Sequence, residues 1–111
     1  MSGNYYKYKT KKYLEDKGYD VDFLERYIRW LDKKTNSVKM FKKDIFSSDI
    51  IAMNENELIF IQVKQGKKNI AEAIKKFNTY HFPKFVGLYI YVWDKGYKEP
   101  EILDVREILD K

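Results

Sequence analysis

The chain has 111 residues, of which 44% are apolar, and this is the size of one domain with a core of its own. It has no cysteine, which excludes disulfides and thiolate metal sites, and no apolar run approaches the roughly 20 residues of a membrane span. From these features we expect one cytoplasmic domain over residues 1–111 with no membrane contact. The net charge of +5 favours a polyanionic partner.

The first predicted element is a helix from about Tyr5 to Lys17, which Gly18 ends. Apolar and small residues recur along one side of it, at Tyr6, Thr10, Tyr13 and Leu14. Lysines surround this stripe, and Lys9 and Lys12 are candidates for contacts with DNA phosphates. An ordinary solvated helix face would have the same pattern.

Residues 19–31 fit both a period of two and a helical period, and we favour a strand. The polar cluster at residues 33–37 is typical of a turn. The apolar positions among residues 38–41 would then pair back as the second strand of a hairpin.

A second hairpin is predicted from two apolar runs, Asp49 to Met53 and Leu58 to Lys64, joined by the polar residues 54–57. If Met53 pairs with Leu58, Asp49 falls opposite Gln62. Because side chains alternate along a strand, Gln62 and Lys64 should point to the same face.

Helical spacing returns at residues 70–77, and the apolar run 87–93 is typical of a strand buried on both faces. A turn and a last short strand at residues 101–105 follow. The predicted fold is α/β, a mixed central β-sheet flanked by helices in the order α-β-β-β-α-β-β.

The end of the second hairpin combines residues that suit metal chemistry. Asp49 offers a carboxylate oxygen, Gln62 an amide oxygen and Val63 a backbone carbonyl, all of which suit Mg²⁺ or Mn²⁺. Lys64 would orient a water molecule or stabilise developing negative charge. Each residue taken singly also fits a polar strand end with a surface ion pair.

The segments Asp49-Ile-Ile and Phe60-Ile-Gln62-Val-Lys64 resemble the core of the PD-(D/E)XK nucleases over about residues 5–93. The layout is similar to archaeal Holliday-junction resolvases and to small phage or viral nucleases. The resemblance implies a restriction-endonuclease-like fold and metal-dependent hydrolysis of DNA phosphodiester bonds. It also implies a branched or otherwise structured DNA substrate and a homodimer.

Within this resemblance, Asp49 and Gln62 correspond to the metal ligands and Lys64 to the catalytic lysine. Gln62 stands where the family usually has an acid, and Ser48 where proline often precedes the aspartate. The glutamate that resolvases have on the first helix would fall near Tyr8, where this chain has no acid.

Other residues are candidates for supporting roles. Asp44 or Glu25 could supply the missing acid, although a solvated carboxylate explains each of them as well. Lys42, Lys43, Lys67 and Lys68 bracket the site and could contact phosphates, or could be ordinary solvated lysines. We exclude the lone histidine, His81, as a base because the surrounding sequence is typical of a packed turn.

Three alternatives stay open at this stage. The first is a less selective nuclease or nickase of phage replication or defence. The second is a DNA-binding module that retains the nuclease fold without turnover, and the third is a structural partner protein.

Overall fold

The computed structural model describes residues 3–110, except for the side chains of residues 3–4, 25–30 and 39–44. Among the described residues, no helix is long and apolar enough to cross a membrane. The elements in chain order are helix α1 (Gly3–Asp16), strands β1 (Asp20–Phe23), β2 (Glu25–Asp32), β3 (Ser37–Asp44), β4 (Ile50–Met53) and β5 (Leu58–Gln65), helix α2 (Ile70–Asn78), strands β6 (Val86–Trp93) and β7 (Glu101–Asp104), and helix α3 (Val105–Leu109).

The main sheet has five strands in the order β1-β4-β5-β6-β7. Strand β5 pairs with β6 in parallel, with α2 as the crossover between them, and the other neighbours are antiparallel. The predicted α/β class with a mixed sheet is therefore confirmed. Among the residues that the structure describes, strands β2 and β3 pair with each other and form a separate two-stranded sheet.

The observed order of elements differs from the predicted one at two places. The single strand predicted over residues 19–31 is broken at Leu24, so five strands precede α2 in the described chain, where four strand segments were predicted and the order α-β-β-β-α-β-β counted three. The backbone of Leu24 explains the break, because its N–H donates to the Asp49 carbonyl while its own carbonyl accepts from Ile45. The last strand ends at Asp104, whose carboxylate accepts from the Glu107 N–H and caps α3.

Two apolar clusters, one on each face of the main sheet, hold the helices in place. Residues of α1, β4 and β5 pack with Trp93 on one face, and residues of α2, α3 and β6 pack on the other. Each fully buried Val, Leu, Ile or Phe side chain in these clusters contributes about 1.5–3 kcal/mol. Strand β5 is central, so its carboxyl end lies between α1 on one side and α2 on the other.

Candidate functional site

The hairpin of β4 and β5 has the predicted pairing at its loop, with Met53 opposite Leu58, but it differs at its open end. Ile50 pairs with Ile61, and the N–H of Asp49 also donates to the Ile61 carbonyl, at 2.9 Å. Two residues of one strand thus face one residue of the other, which is a β-bulge. The predicted placement of Asp49 opposite Gln62 is wrong because the bulge adds one residue.

Asp49 is almost completely buried, with 2% of its surface exposed. Its Oδ2 accepts a hydrogen bond from the Val63 N–H at 2.9 Å, and its Oδ1 lies 3.4 Å from the Nζ of Lys7 on α1. A buried carboxylate needs such partners, since an uncompensated charge is costly away from water. Asp49 therefore also has a structural role, because it bonds a strand amide beyond the end of β4.

The sequence did not single out Lys7. Its side chain is 17% exposed, and it lies three residues before Thr10 and seven before Leu14, which places it on the buried stripe of α1. That spacing is the signal that could have found it. The resemblance to resolvases implied a glutamate on the first helix near Tyr8, where this chain has no acid. The residue one position earlier, Lys7, contacts Asp49.

Gln62 and Lys64 line an open cleft of about 580 Å³ between the end of β5, helix α2 and the turn at residues 46–47. Side chains alternate between buried and half-buried along β5, and both residues are on the half-buried side. The prediction that they share a face is confirmed. We call this space the polar cleft, and its other lining residues include Ser47, Asn69, Glu72, Lys76, Thr79 and Tyr80.

The polar cleft can receive an anion. Lys76 lies 3.6 Å from Glu72, whereas Lys64 forms no ion pair with any residue that the structure describes. Its ammonium group therefore has hydrogen-bond donors to offer to a ligand. Asp49 is not among the residues that line the cleft. The structure thus brings Gln62 and Lys64 together and places Asp49 beside the backbone between them, toward α1.

The oxygen atoms at the end of β5 are of the kind that Mg²⁺ and Mn²⁺ prefer. The Val63 N–H donates to Asp49, and in an extended strand the N–H and the carbonyl of one residue point to the same side, so the Val63 carbonyl faces that side too. In residues 3–110, however, no described side chains form a group of three or more His, Cys, Asp or Glu. Since Lys7 already compensates part of the charge of Asp49, a divalent cation bound here would compete with Lys7 for that carboxylate.

The two candidates for an additional acid lie near Asp49 by backbone position. Glu25 and Asp44 are paired at the first step of the β2–β3 sheet, next to the bonded residues Leu24 and Ile45. Leu24 in turn bonds the Asp49 carbonyl. The side chains of Glu25 and Asp44, and those of Lys42 and Lys43 on β3, lie outside the described part of the structure.

The remaining lysines that were predicted to contact phosphates lie in different surroundings. Lys9 donates to the Tyr97 carbonyl at 3.2 Å and lies 4.9 Å from the centre of the Trp93 ring, so its ammonium group packs against the protein's own surface. Lys67 pairs with Glu101 at 3.3 Å. Lys12 and Lys68 are exposed. His81, which was excluded as a base, is exposed as well.

No protein-family model matches the chain, and no curated protein matches it either. The function of the protein is therefore inferred from the geometry of its site.

Proposed function

We propose that the protein is a metal-dependent DNA endonuclease with the restriction-endonuclease-like fold of the PD-(D/E)XK type. One observation carries the proposal. Gln62 and Lys64 project side by side into an open cleft at the end of the central strand. The backbone N–H of Val63, which lies between them in the chain, donates to the Asp49 carboxylate. This arrangement supports a phosphodiester site, because two oxygen ligands and a cation lie at one strand end, Gln62 and Lys64 in the cleft and Asp49 beside it.

Each residue has a defined role in this proposal. Asp49, Gln62 and the Val63 carbonyl would hold Mg²⁺ or Mn²⁺, which acidifies a bound water and neutralises charge on the phosphate. Lys64 would donate hydrogen bonds to the phosphate oxygen on which negative charge grows, a contact that strengthens during the reaction.

The charge distribution supports DNA as the partner. Residues 25–44, which form the β2–β3 sheet, include seven basic and three acidic residues and therefore hold most of the net charge of +5. We call this segment the basic arm. It begins next to Leu24, which bonds the Asp49 carbonyl, so it extends from the proposed site. Basic residues there, Lys42 and Lys43 among them, would neutralise phosphates on either side of the cleaved bond.

The proposal extends to branched DNA cut by a homodimer. A four-way junction has two equivalent cleavage positions, and the two-fold symmetry of a dimer matches them. A less selective nuclease that acts on duplex or single-stranded DNA would use the same site.

A second candidate function is a DNA-binding module without turnover. The ion pair between Lys7 and Asp49 favours it, because an ammonium group already holds the cationic position beside the carboxylate. The basic arm and the polar cleft would serve binding alone equally well.

Cleavage assays separate the two candidates. Purified protein is incubated with junction, flap, duplex and single-stranded DNA in Mg²⁺, in Mn²⁺ or in excess chelator. We expect metal-dependent cutting, and a loss of at least about 100-fold in Lys64→Ala, whose fold is checked by circular dichroism. Lys75→Ala is the matched control, since Lys75 is exposed on α2 and does not line the cleft. Binding without cutting by the unmodified protein would favour the module.

A further inference from the structure

A second cavity, of about 350 Å³, adjoins the polar cleft and is lined mainly by aromatic rings. Phe46, Phe60, Tyr80, Phe82 and Phe85 contribute to it, and we call it the aromatic groove. The ring centres of Phe46 and Tyr80 are 5.4 Å apart, and those of Phe60 and Phe82 are 5.2 Å apart. Much of this apolar surface is in water, since Phe46 is 50% exposed, Tyr80 41% and Phe85 78%. Exposed apolar patches of this kind commonly mark binding sites.

The aromatic groove and the polar cleft are adjacent and have one lining residue in common. Tyr80 lines both cavities, and the turn at residues 46–47 directs Phe46 into the groove and Ser47 into the cleft. Phe46 has φ 52° and Ser47 φ 57°, a left-handed conformation that a bulky side chain rarely adopts. The turn thus keeps a large ring at the surface, beside a cavity that holds the ammonium group of Lys64.

A nucleotide has the matching pair of groups, an anionic phosphate joined to a flat aromatic base. Bases stack on exposed aromatic side chains regardless of sequence, and lysines compensate the adjoining phosphates. We propose that the aromatic groove binds an unpaired base of a DNA strand whose neighbouring phosphate lies in the polar cleft. The proposal rests on the proposed function to the extent that the cleft receives DNA.

A nucleotide would occupy both cavities, with its base in the aromatic groove and its neighbouring phosphate in the polar cleft. In an intact duplex the bases are stacked and paired inside the helix, so they cannot reach the groove without being turned out of the stack. A second copy of the chain could cover the aromatic rings, but a two-fold contact over the groove would place the two adjoining clefts near each other. Each cleft has two lysines, Lys64 and Lys76, and one acid, Glu72, so like net charges oppose such a contact. The groove therefore selects strands with unpaired bases, such as single strands, flaps and junction arms.

The test measures DNA binding in excess chelator, so that cleavage plays no part. Fluorescence anisotropy gives the affinity for a labelled single-stranded oligodeoxynucleotide, for an abasic strand of the same length and for a blunt duplex of that length. We expect the single strand to bind about tenfold more tightly than the abasic strand, which has the same charge and no bases.

Two variants locate the effect. Phe46→Leu retains apolar bulk without a ring and should remove most of the preference for bases, and Phe85→Ala on the open rim should reduce it. Tyr97→Ala is the control, since Tyr97 is also exposed, at 38%, and lies outside the groove. Affinity for the abasic strand should change little in all three variants.

The outcomes are separable from those of the cleavage assay. Equal affinity for the single and abasic strands, or an unchanged preference in both groove variants, overturns the proposal even if the protein cuts DNA. Sedimentation of the same variants measures their oligomeric state and so tests whether a second copy of the chain occupies the groove. If Phe46→Leu converts a dimer into monomers and leaves the preference for bases intact, the groove is an interface between copies and the proposal is wrong. A base preference that depends on Phe46 supports it even if no DNA is cut.

Discussion

The Nζ of Lys7 lies 3.4 Å from Oδ1 of Asp49, so α1 supplies a cation to the carboxylate that the sequence marks as a metal ligand. An ammonium group and a divalent cation cannot both occupy that position. If Asp49 binds a metal ion as proposed, Lys7 competes with that ion for the carboxylate.

We predict that Lys7→Gln lowers stability in the absence of metal and makes the protein more responsive to metal. Removing one partner of a largely buried ion pair leaves the other charge less well compensated, which should cost about 1–4 kcal/mol of unfolding free energy. A divalent cation can then replace the lost ammonium group. Thermal melts with and without Mn²⁺ should show a larger rise in melting temperature for this variant than for the unmodified protein.

Lys11→Gln is the control for Lys7→Gln. Lys11 lies on the same helix and pairs with the exposed Glu15 at 3.0 Å. Its loss should change stability by less than about 0.5 kcal/mol and leave the response to Mn²⁺ unchanged. Identical responses to Mn²⁺ in the Lys7 variant and the unmodified protein would show that Lys7 does not compete with the metal.

A second prediction concerns the side-chain amide of Gln62, near the end of β5. Gln62→Glu adds a negative charge and a stronger oxygen ligand on the face that already holds Lys64, so it should raise the affinity for Mn²⁺ about tenfold. Isothermal titration calorimetry in the absence of DNA measures this directly.

The control for Gln62→Glu is Gln65→Glu, which adds the same charge three residues later at an exposed position outside the cleft. A general electrostatic effect would act on both variants alike, and the two would gain similar affinity. That outcome would count against Gln62 as a ligand.

The parts of the fold that were predicted correctly depend on local patterns. The hairpin with Met53 opposite Leu58, helix α2 and strand β6 follow from runs of apolar residues and the turns between them. The common face of Gln62 and Lys64 follows from the alternation of side chains along one strand.

The features that were missed depend on contacts between distant parts of the chain. The break at Leu24 arises from bonds to Asp49 and Ile45, and nothing within residues 19–31 marks it. The bulge at Asp49 adds one residue, which a period of two cannot reveal. The contact of Lys7 with Asp49 depends on how α1 packs on the sheet.

A third prediction tests how α1 is attached to the sheet. The Nε1–H of Trp93 donates to the Oγ1 of Thr10 at 2.8 Å, and that hydroxyl donates to the Tyr6 carbonyl at 2.8 Å, all in the buried core. Thr10→Val retains the shape but leaves the indole N–H without an acceptor. Urea unfolding should show a loss of about 1–3 kcal/mol.

Thr79→Val is the matched control, because the Thr79 hydroxyl also donates to a backbone carbonyl, that of Lys76, but on the exposed surface. Its effect should stay within about 0.5 kcal/mol. Equal effects of the two substitutions would mean that the indole bond does not contribute to the attachment of α1.

The last prediction concerns alkaline pH. The Tyr19 hydroxyl bonds Glu57, and this hydrogen bond, together with burial and the negative charge of Glu57, raises the pKa of Tyr19 from 10.0 to about 12. Burial also raises the pKa of Tyr91. Because the folded state favours the neutral phenols, their contribution to stability is complete below about pH 10 and is lost as pH rises through the folded pKa values.

Glu57→Gln should therefore lower the pKa of Tyr19 toward 10, since the substitution removes the charge and weakens the bond. A spectrophotometric titration of the phenolate should show one tyrosine ionising earlier than in the unmodified protein. Glu55→Gln removes a charge from the same loop without a contact to Tyr19, and its titration should match that of the unmodified protein. If both variants shift the curve equally, the net charge of the loop, rather than the hydrogen bond, sets the pKa of Tyr19.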